Sequence, residues 1–411
     1  MNARCVRANR HTQPIRRRCP APSARDHTPQ SHAKRVRQAI ELADFPLSSR
    51  ITRWRFSIHF AIDSTATTTR QTEVPHDALA EAMHAHAAHA PRLPLPDCIV
   101  PGQINWLYAI PIAVLHLAAL LAFMPAFFSW TGVIVMLVGV FVFGQSITLC
   151  YHRLLTHKCA TVPKWFERGM VVLALCSLED TPGRWVATHR YHHVHSDEQN
   201  DPHSPLVAFL WAHVGWLLVH NPSTHNISTY QKYARDILED PFYLKLEKSS
   251  LWVLIYLAQA ALYFGVGAMF SLEMGLSLLI WGVVVRTVIV WHITWSVNSL
   301  THMFGYFNYR TGDHSRNNWL VAMLASGEGW HNNHHHDPAS ASNQHQWWEI
   351  DVTFYLIKLL AFVGIATNVT LPRHQRVARS ELLRAAAKAN ALAASQHSAA
   401  DDRPAATAVE V

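Results

Sequence analysis

Four apolar segments, each a little over 20 residues long, limit this chain to folds that can cross a lipid bilayer. They lie at about 105–128, 131–151, 251–270 and 275–296. About 20 residues at a rise of 1.5 Å are enough to span the hydrocarbon core. The fourth segment carries Arg286 and His292, which we expect to face protein or the membrane interface, because ionisable groups are costly at that depth. The pattern predicts an all-α integral membrane protein with four transmembrane helices in two hairpins.

Charges outside these segments orient the hairpins. The connections AFFSWTG and SLEMG contain no Lys or Arg, whereas the N-terminal leader, the 152–250 segment and the C-terminal tail contain many. Short connections rich in Lys and Arg stay on the cytoplasmic side of a membrane. We therefore expect a multi-pass protein of the bacterial inner membrane, with both termini and the large middle segment in the cytoplasm.

Composition divides the chain into three parts. Residues 1–100 contain 15 Lys and Arg against 8 Asp and Glu, an excess equal to the formal net charge of +7 of the whole chain. This leader has no sustained apolar run, so we expect a disordered basic segment and no secretory signal. It also lacks the folded basic face with aromatics that nucleic-acid binding requires. Residues 101–372 form the predicted membrane domain, and 373–411 form an Ala-rich tail, expected to be a frayed helix or disordered.

Histidines concentrate in four motifs on the predicted cytoplasmic side. HRLLTH contains His152 and His157, HRYHH contains His189, His192 and His193, NSLTH contains Asn298 and His302, and HNNHH contains His331, His334 and His335. The i, i+3, i+4 spacing of HRYHH and HNNHH places three imidazoles on one helical face. His152 and His157 are five residues apart and do not share an α-helical face, which predicts a helix that ends there. The motifs predict a cytosolic helical cap with nine imidazoles and one carboxamide.

This donor set indicates two metal ions. Imidazole suits Zn, Cu, Fe and Ni, and a structural zinc site would close at four ligands, often with cysteine. Nine imidazoles with almost no nearby cysteine instead fit two metals with four or five ligands each. Any one histidine could be a hydrogen-bonded polar residue at a helix end. Histidines close by but outside the pattern are not expected to bind metal: His195, His203, His314, His336 and His345. Asp201 and His203 are expected to brace the loop.

The motifs HRLLTH, HRYHH and GEGWHNNHH, in this order and between these hairpins, resemble the three histidine boxes of the membrane-bound fatty acyl desaturases. The resemblance is to the Δ9, stearoyl-CoA desaturase-like branch, and covers about residues 103–370. It implies that the nine box and NSLTH histidines bind two ferrous ions, with Asn298 nearby through water. No fused cytochrome b5 motif HPGG is present. The resemblance therefore implies a separate electron donor, a ferredoxin or cytochrome b5-like protein with its reductase.

The same resemblance implies the reaction. An unactivated methylene needs a stronger oxidant than any side chain, so the metal carries the chemistry and the protein positions the chain. Two Fe²⁺ ions with O₂ as co-substrate would remove hydrogen from two adjacent carbons and leave a cis double bond. A bent apolar tunnel would select the carbons by depth. By position, Trp185, Thr294 and Trp295 resemble residues that line the bend, although both tryptophans are equally consistent with packing.

Three departures from the family pattern bear on the substrate. Glu179 stands where relatives often have Gln, and Arg184 stands where many have Glu or Ala. The segment SPLVAF after DPH lacks the basic pair of animal acyl-CoA enzymes. Because CoA phosphates call for Arg or Lys contacts, acyl-lipid and carrier-protein-linked substrates stay open beside acyl-CoA. The Δ9 position of the double bond rests on the resemblance alone.

Two other classes of protein share some of these features. A membrane di-iron hydroxylase of the alkane or sterol type has the same metal chemistry but inserts oxygen, and its boxes usually have other spacings. A histidine-rich metal transporter would place its ligands inside the bilayer. Here the histidine motifs lie outside the apolar segments, and only His292 and Arg286 lie within one, which favours an enzyme.

Overall fold

The computed structural model describes residues 92–100 and 102–401. Within them the fold is helical, and the residues in β geometry are confined to isolated bridges. Most of the leader, residues 1–91, lies outside the described part. Four helical segments are long and apolar enough to cross a membrane: Trp106–Phe123, Trp130–Thr156, Leu251–Ala268 and Leu272–His302, here called spans 1 to 4. The prediction of an all-α fold with four spans is confirmed.

Spans 2 and 4 extend beyond the ends expected at residues 151 and 296. Span 2 continues to Thr156 and span 4 to His302. Both helices continue beyond the apolar residues because hydropathy marks only the residues matched to lipid, whereas backbone hydrogen bonds continue into polar sequence. Both extensions carry histidines away from the apolar region and into the cap.

Span 1 is shorter than the expected 105–128. Its last turn is a 3₁₀-helix that ends at Phe123, and a separate turn follows at Pro125–Phe127. The break is caused by Pro125, which lacks the N–H needed to continue the helix.

Serines begin the two long spans at their ends remote from the histidine motifs. The hydroxyls of Ser129 and Ser271 each accept a hydrogen bond from the backbone N–H three residues on, at 2.9 and 3.1 Å. Such caps satisfy an N–H that the helix itself leaves free. Spans 3 and 4 then approach closely at Gly267 and Gly275, where an added Cβ on Gly267 would lie 2.7 Å from Cα of Gly275. Spans 2 and 4 are thus each capped at the end remote from the histidine motifs.

Arg286 is fully buried within span 4, as expected for a charged group at that depth. Its guanidinium donates to the carbonyl oxygen of Cys176 at 3.0 Å and to Oε1 of Gln259 at 2.9 Å. The guanidinium also lies over the ring of Phe143, 3.9 Å from its centroid. These contacts replace water and connect three helices through one side chain.

His292, the second ionisable residue of the apolar segment 275–296 in span 4, is exposed on the span but belongs to a row of histidines. Its Nε2 lies 3.1 Å from Nε2 of His116 in span 1, and its Nδ1 lies 2.9 Å from Nε2 of His213. His213 continues the row to the hydroxyl of Ser299 at 3.0 Å. The row connects spans 1 and 4 with the segment that follows the second histidine box.

Shorter helices form the cap. They are Lys164–Leu175, Pro182–His195, Trp211–Gly215, Trp216–Leu218, Pro222–His225, Ile227–Tyr233, Arg235–Leu238, Pro241–Lys248, Trp319–Leu324, His331–His336 and Val352–Phe362. Val171, Leu175, Val186 and Tyr243 are at most 1% exposed and pack into one apolar cluster. Their burial fixes the helix of the second histidine box against the end of span 2.

The tail forms a helix, Arg373–Asp401, attached to the cap at its beginning. The carboxylate of Asp337 accepts from Nη2 of Arg376 at 2.6 and 2.8 Å and from the backbone N–H of Arg373 at 2.7 Å. Because Asp337 directly follows the third histidine box, the first turns of the tail lie beside that box.

Candidate metal centre

The first box lies on a π-helix, Ser146–Thr156, that ends span 2. A π-helix bonds residues five apart, and the backbone N–H of His157 donates to the carbonyl of His152 at 3.1 Å. The expectation that these two histidines do not share a face was wrong, because it assumed α-helical geometry. Their ring centroids are 4.8 Å apart, so the five-residue spacing brings the two side chains together.

The second box lies on the helix Pro182–His195. Pro182 occupies the first turn, where its missing N–H costs nothing, and the helix then runs uninterrupted through His189, His192 and His193. Rings at i and i+4 meet, and Nε2 of His193 lies 3.0 Å from Nε2 of His189. His192 points to a different neighbour than these two. One helix therefore serves two groups of histidines.

The remaining histidines come from the end of span 4 and from the third box. His302 ends a 3₁₀ turn that follows the α-helical part of span 4, and His331, His334 and His335 lie on the short helix His331–His336. Asn332 and Asn333 of that helix are buried, and their side chains bond to Tyr309, Ser315, Asn343 and Glu349. This polar network holds the third box against the cap.

These elements bring all nine predicted histidines together in two groups. The five-histidine cluster consists of His152, His157, His189, His193 and His334; the four-histidine cluster consists of His192, His302, His331 and His335. Within each group the possible ligand atoms lie within 4.8 Å of one another. The close Nε2 pairs are 3.0 to 3.2 Å apart. Metal–imidazole bonds of about 2.1 Å at right angles would give a separation of about 3 Å.

Carboxylates behind the rings fix which nitrogen carries the proton. Nδ1 of His335 lies 2.6 Å from Asp313, Nδ1 of His302 lies 2.8 Å from Asp197, and Nδ1 of His192 lies 3.0 Å from both oxygens of Asp201. In the five-histidine cluster, Nδ1 of His152 lies 2.8 Å from Glu328. A carboxylate only accepts, so Nδ1 is the protonated nitrogen and Nε2 is left with a bare lone pair.

Converging lone pairs repel one another unless a cation lies between them, so this donor set fits a pair of metal ions. Burial lowers the pKa of His157, His189, His193, His331 and His334 well below the usual range and also lowers that of His335. Neutral imidazole is the form that binds a metal. The clusters are chemically suited to two ions.

Sequence reasoning missed most of the carboxylates. Each of these carboxylates is far in sequence from the histidine that it contacts: Asp197 from His302, Asp313 from His335, and Glu328 from His152. No spacing rule connects the two members of such a pair. Despite burial, His302 holds the pKa of Asp197 far below its ordinary value, and His335 does the same for Asp313. Arg153 and His152 lower the pKa of Glu328 to about 2. The acidic residues beside the boxes in SDEQND and GEGW were the available signal.

Arg153 of the first box ties these parts to the third box. Its guanidinium donates to Asp351 at 2.8 and 2.9 Å and to Glu328 at 3.0 Å, and the side chain is 1% exposed. A buried arginine shared by two carboxylates is held in one geometry. The orientation of His152 thus depends on a network that reaches the helix Val352–Phe362.

Histidines expected not to bind metal are distributed around the site. His203 lies next to a ligand of the four-histidine cluster, since its ring centroid is 4.4 Å from that of His192. With His192 and Asp201 it forms a third possible ligand group. Burial lowers the pKa of His203 to about 3. His195 lies beside Glu198, and His336 stacks on Tyr309.

Two cavities lie beside the clusters and share part of their lining. The first, of about 120 Å³, is lined by residues of span 1, of the second-box helix and of span 4. The second, of about 190 Å³, lies between spans 2 and 4 and the third box. Trp185, His189, Thr294 and Asn298 line both, and Trp295 lines the first. Thr294 donates to Oε1 of Glu179 at 2.6 Å. The structure thus places Trp185, Thr294, Trp295 and Asn298 together at the cavities.

Comparison with known proteins agrees with this geometry. The sequence pattern of the family described as fatty acid desaturase matches residues 128–360. An sn-1 stearoyl-lipid 9-desaturase of Anabaena variabilis is 44% identical over 270 residues, covering 66% of this chain and 95% of the relative. An sn-2 palmitoyl-lipid 9-desaturase of Nostoc sp. is 38% identical over 269 residues, covering 65% and 90%.

A plant relative has another kind of substrate in its name. The acyl-CoA C20 Delta5-desaturase of Anemone leveillei is 37% identical over 304 residues, which cover 70% of this chain and 92% of the relative. Relatives named for lipid substrates and a relative named for a CoA substrate therefore match this chain at similar identity. From the match over more than half of its length, this chain belongs to the fatty acid desaturase family and is an oxidoreductase of fatty acyl chains.

Proposed function

We propose that this enzyme uses O₂ to introduce a cis double bond, at carbon 9, into an acyl chain esterified to a membrane lipid. The observation that carries the proposal is that two cavities share the lining residues Trp185, His189, Thr294 and Asn298, beside both histidine clusters. An acyl chain that occupied both cavities would pass these residues and would therefore lie, at its bend, next to the metal site. Depth in the first cavity would then select the carbons that react.

Two ferrous ions are the proposed cofactors. The five-histidine cluster would hold one and the four-histidine cluster the other, and Asn298, which lines both cavities, would approach them through water. When bound, the iron pair supplies the oxidising equivalents from O₂ that no side chain can provide. The aspartates behind the second cluster keep its imidazoles in the ligating tautomer.

The protein's own share of the reaction is to hold the acyl chain. The ring of Trp185 stacks on that of His189 at 5.0 Å, and both rings line the two cavities in which the chain would lie. The Thr294–Glu179 hydrogen bond fixes the wall of the bend. Burial raises the pKa of Glu179 to about 8, so this wall is uncharged at neutral pH. An uncharged wall suits an alkyl chain.

The charges at the first cavity favour a lipid over CoA. Arg184 is the one Lys or Arg among the described residues that line it, and Asp180 lies 3.8 Å away and offsets its charge. Glu247 accepts from the backbone of Gly183 at 2.6 Å and adds negative charge nearby. The phosphates of CoA require several cations, which this opening does not offer. The relatives named as lipid 9-desaturases support the same choice of carrier and carbon.

Residues 101–372 are the proposed catalytic domain, with the leader 1–100 and the tail 373–411 as appendages. We propose a location in the bacterial inner membrane, and the positive-inside rule supports an orientation with both termini and the histidine clusters in the cytoplasm. There the enzyme would receive electrons from a separate carrier, a ferredoxin or a cytochrome b5-like protein with its reductase.

The test is expression in a bacterium that lacks aerobic desaturation, with and without O₂. Lipid classes are separated before mass spectrometry of fatty-acid methyl esters with localisation of double bonds. We expect an O₂-dependent Δ9 monoene that appears first in glycerolipid, and no product from a His334→Ala control. A hydroxylated product would instead identify a hydroxylase, and a monoene that appears first in acyl-CoA would refute the lipid carrier.

A further inference from the structure

The first turns of the tail helix form a cationic surface beside the third histidine box. Between residues 373 and 388 the helix carries five Lys or Arg and one Glu. The part nearest the cap, here called the basic patch, consists of Arg373, His374, Arg376 and Arg379, all of them exposed. Arg376 is paired with Asp337. Among the contacts described above, Asp337 is the one acidic partner of the patch. The patch therefore keeps a net positive charge.

A row of rings leads inward from this patch. His374 lies 5.5 Å from His345, measured between ring centroids, and Nδ1 of His345 lies 2.9 Å from the hydroxyl of Tyr309. Tyr309 stacks on His336 at 3.8 Å with an interplanar angle of 7°. His336 is covalently adjacent to His335 of the four-histidine cluster. We call these four rings, His374, His345, Tyr309 and His336, the ring series.

The ring series connects solvent with a buried metal site. His331 and His334 are each 2% exposed, so an external protein cannot touch the ligands of the proposed metals directly. The reaction nevertheless needs electrons from outside. Electrons can pass between neighbouring aromatic rings that are in contact, and close stacking shortens the gaps that the electron has to cross. None of these four rings is used by the mechanism above.

We propose that the basic patch is the docking surface for a small acidic one-electron carrier protein, and that electrons enter through the ring series. The inference rests on the proposed function, because an O₂-dependent desaturase must take two electrons per turnover from outside. Each turnover then consumes two reduced carriers: –CH₂–CH₂– + O₂ + 2 e⁻ + 2 H⁺ gives –CH=CH– + 2 H₂O. Each carrier gives up one electron, and O₂ is reduced to two waters.

Charge complementarity fits this partner better than a membrane surface. Val377, Leu382 and Leu383 are exposed on the tail helix, but at 3.6 residues per turn they point in three different directions. A helix that lies on a bilayer gathers its apolar residues on one face. The first turns of the tail helix instead present cations. Opposite charge steers a soluble protein to its docking site.

Binding tests the docking surface without reference to catalysis. The full chain, in lipid nanodiscs, is titrated with plant-type [2Fe–2S] ferredoxin as the acidic carrier, at low and high salt. Arg373→Glu combined with Arg379→Glu should raise the Kd about tenfold at low salt and flatten its salt dependence. The matched control is Arg235→Glu, an exposed cation elsewhere on the cap whose side chain is 80% exposed. It should leave the Kd within about twofold.

Electron transfer tests the ring series. Tyr309→Leu should leave the ferredoxin Kd unchanged but slow the anaerobic oxidation of reduced ferredoxin by the iron-loaded enzyme, whereas Tyr309→Phe, which keeps the stacked ring, should retain most of the rate. Equal rates in Tyr309→Leu and in the unaltered protein would refute the path. Absence of saturable ferredoxin binding, or a double variant that binds ferredoxin normally but loses affinity for anionic vesicles, would refute the docking surface.

A chemical reductant separates this inference from the proposed function. If dithionite supports formation of a double bond while the ferredoxin results fail, the desaturase assignment stands and the docking site is wrong. If no double bond forms with either reductant in an iron-loaded protein, the proposed function itself fails.

Discussion

The two histidine clusters are built from the same ligand type but are held differently. Three of the four rings in the four-histidine cluster have an aspartate behind Nδ1: Asp201, Asp197 and Asp313. In the five-histidine cluster, the one carboxylate so placed among the described contacts is Glu328, behind His152. One cluster thus depends on outer carboxylates, and the other depends on the number of its rings.

The difference also concerns where each cluster faces. His152 and His189 of the five-histidine cluster line the cavities, and the four-histidine cluster contributes His331. The ring series reaches the four-histidine cluster through His336, which is not among the residues that line the two cavities. On the proposed function, the five-histidine cluster would face the acyl chain and the four-histidine cluster would receive electrons, and the aspartates of the second would offset the positive charge of its ion.

The largest effects should follow loss of a ligand in either cluster. His334 lies within 3.1 Å of both His152 and His193, and His331 lies within that distance of both His302 and His335. We expect His334→Ala and His331→Ala to abolish desaturation and to lower iron content, because a ligand position is lost while the apolar spans are untouched. Product analysis and metal analysis of membrane-extracted protein check this. Activity near that of the unaltered protein in either variant would contradict the division into two metal clusters.

The outer carboxylates should have the next largest effect, and an unequal one. Asp313→Asn should weaken iron binding about 10- to 100-fold, because His335 is one of only four rings and loses its anionic partner. Glu328→Gln should cost less, because four other rings remain and Arg153 keeps its contacts with Asp351. Iron retained per protein after dialysis against a graded chelator measures both. Equal losses would remove the distinction between the clusters.

Cavity shape should affect the product without affecting either cluster. Gly144 of span 2 lines the second cavity, and a Cβ added there meets no atom within 4 Å. Gly144→Leu should shorten the preferred acyl chain by about two carbons, because its side chain occupies space open to the end of the chain. Gly169, on an exposed helical face of the cap, also has open space, so Gly169→Leu is the matched control. An unchanged chain-length profile with normal iron content would exclude the second cavity from acyl binding.

The smallest effect concerns how the stability of the protein depends on pH through Glu179, in the wall that faces the acyl chain. Burial raises the pKa of Glu179 to about 8 from an ordinary value of 4.5, so the folded state holds a proton that the unfolded state releases. Stability should therefore fall as pH rises from about 4.5 to 8 and level off above that range. Glu179→Gln removes this titration and should give a flatter curve of melting temperature against pH. Parallel curves for the two proteins would show that Glu179 is charged in the folded state.

The sequence predicted the spans and the nine histidines because both depend on short-range pattern. Apolar length marks a span, and the i, i+3, i+4 spacing marks a helical face. The pairing of His302 with Asp197 could not be predicted, since the two are 105 residues apart and meet only when the end of span 4 lies beside the turn that follows the second-box helix. The position of Thr294 in the lining of both cavities is likewise a property of packed helices. Hydropathy could not place the ends of spans 2 and 4, because their last turns lie outside the apolar sequence.

The π-helix of span 2 limits how this protein can adapt to bilayers of different thickness. One residue inserted into the α-helical part of the span would turn His152 and His157 by about 100° relative to the cap. One residue removed from Ser146–Thr156 would separate the two rings. Length can change without either consequence only at the far ends of spans 2 and 4, around the serine caps Ser129 and Ser271. Variation in hydrophobic length should therefore accumulate at those ends, while the box ends of both spans keep a fixed register.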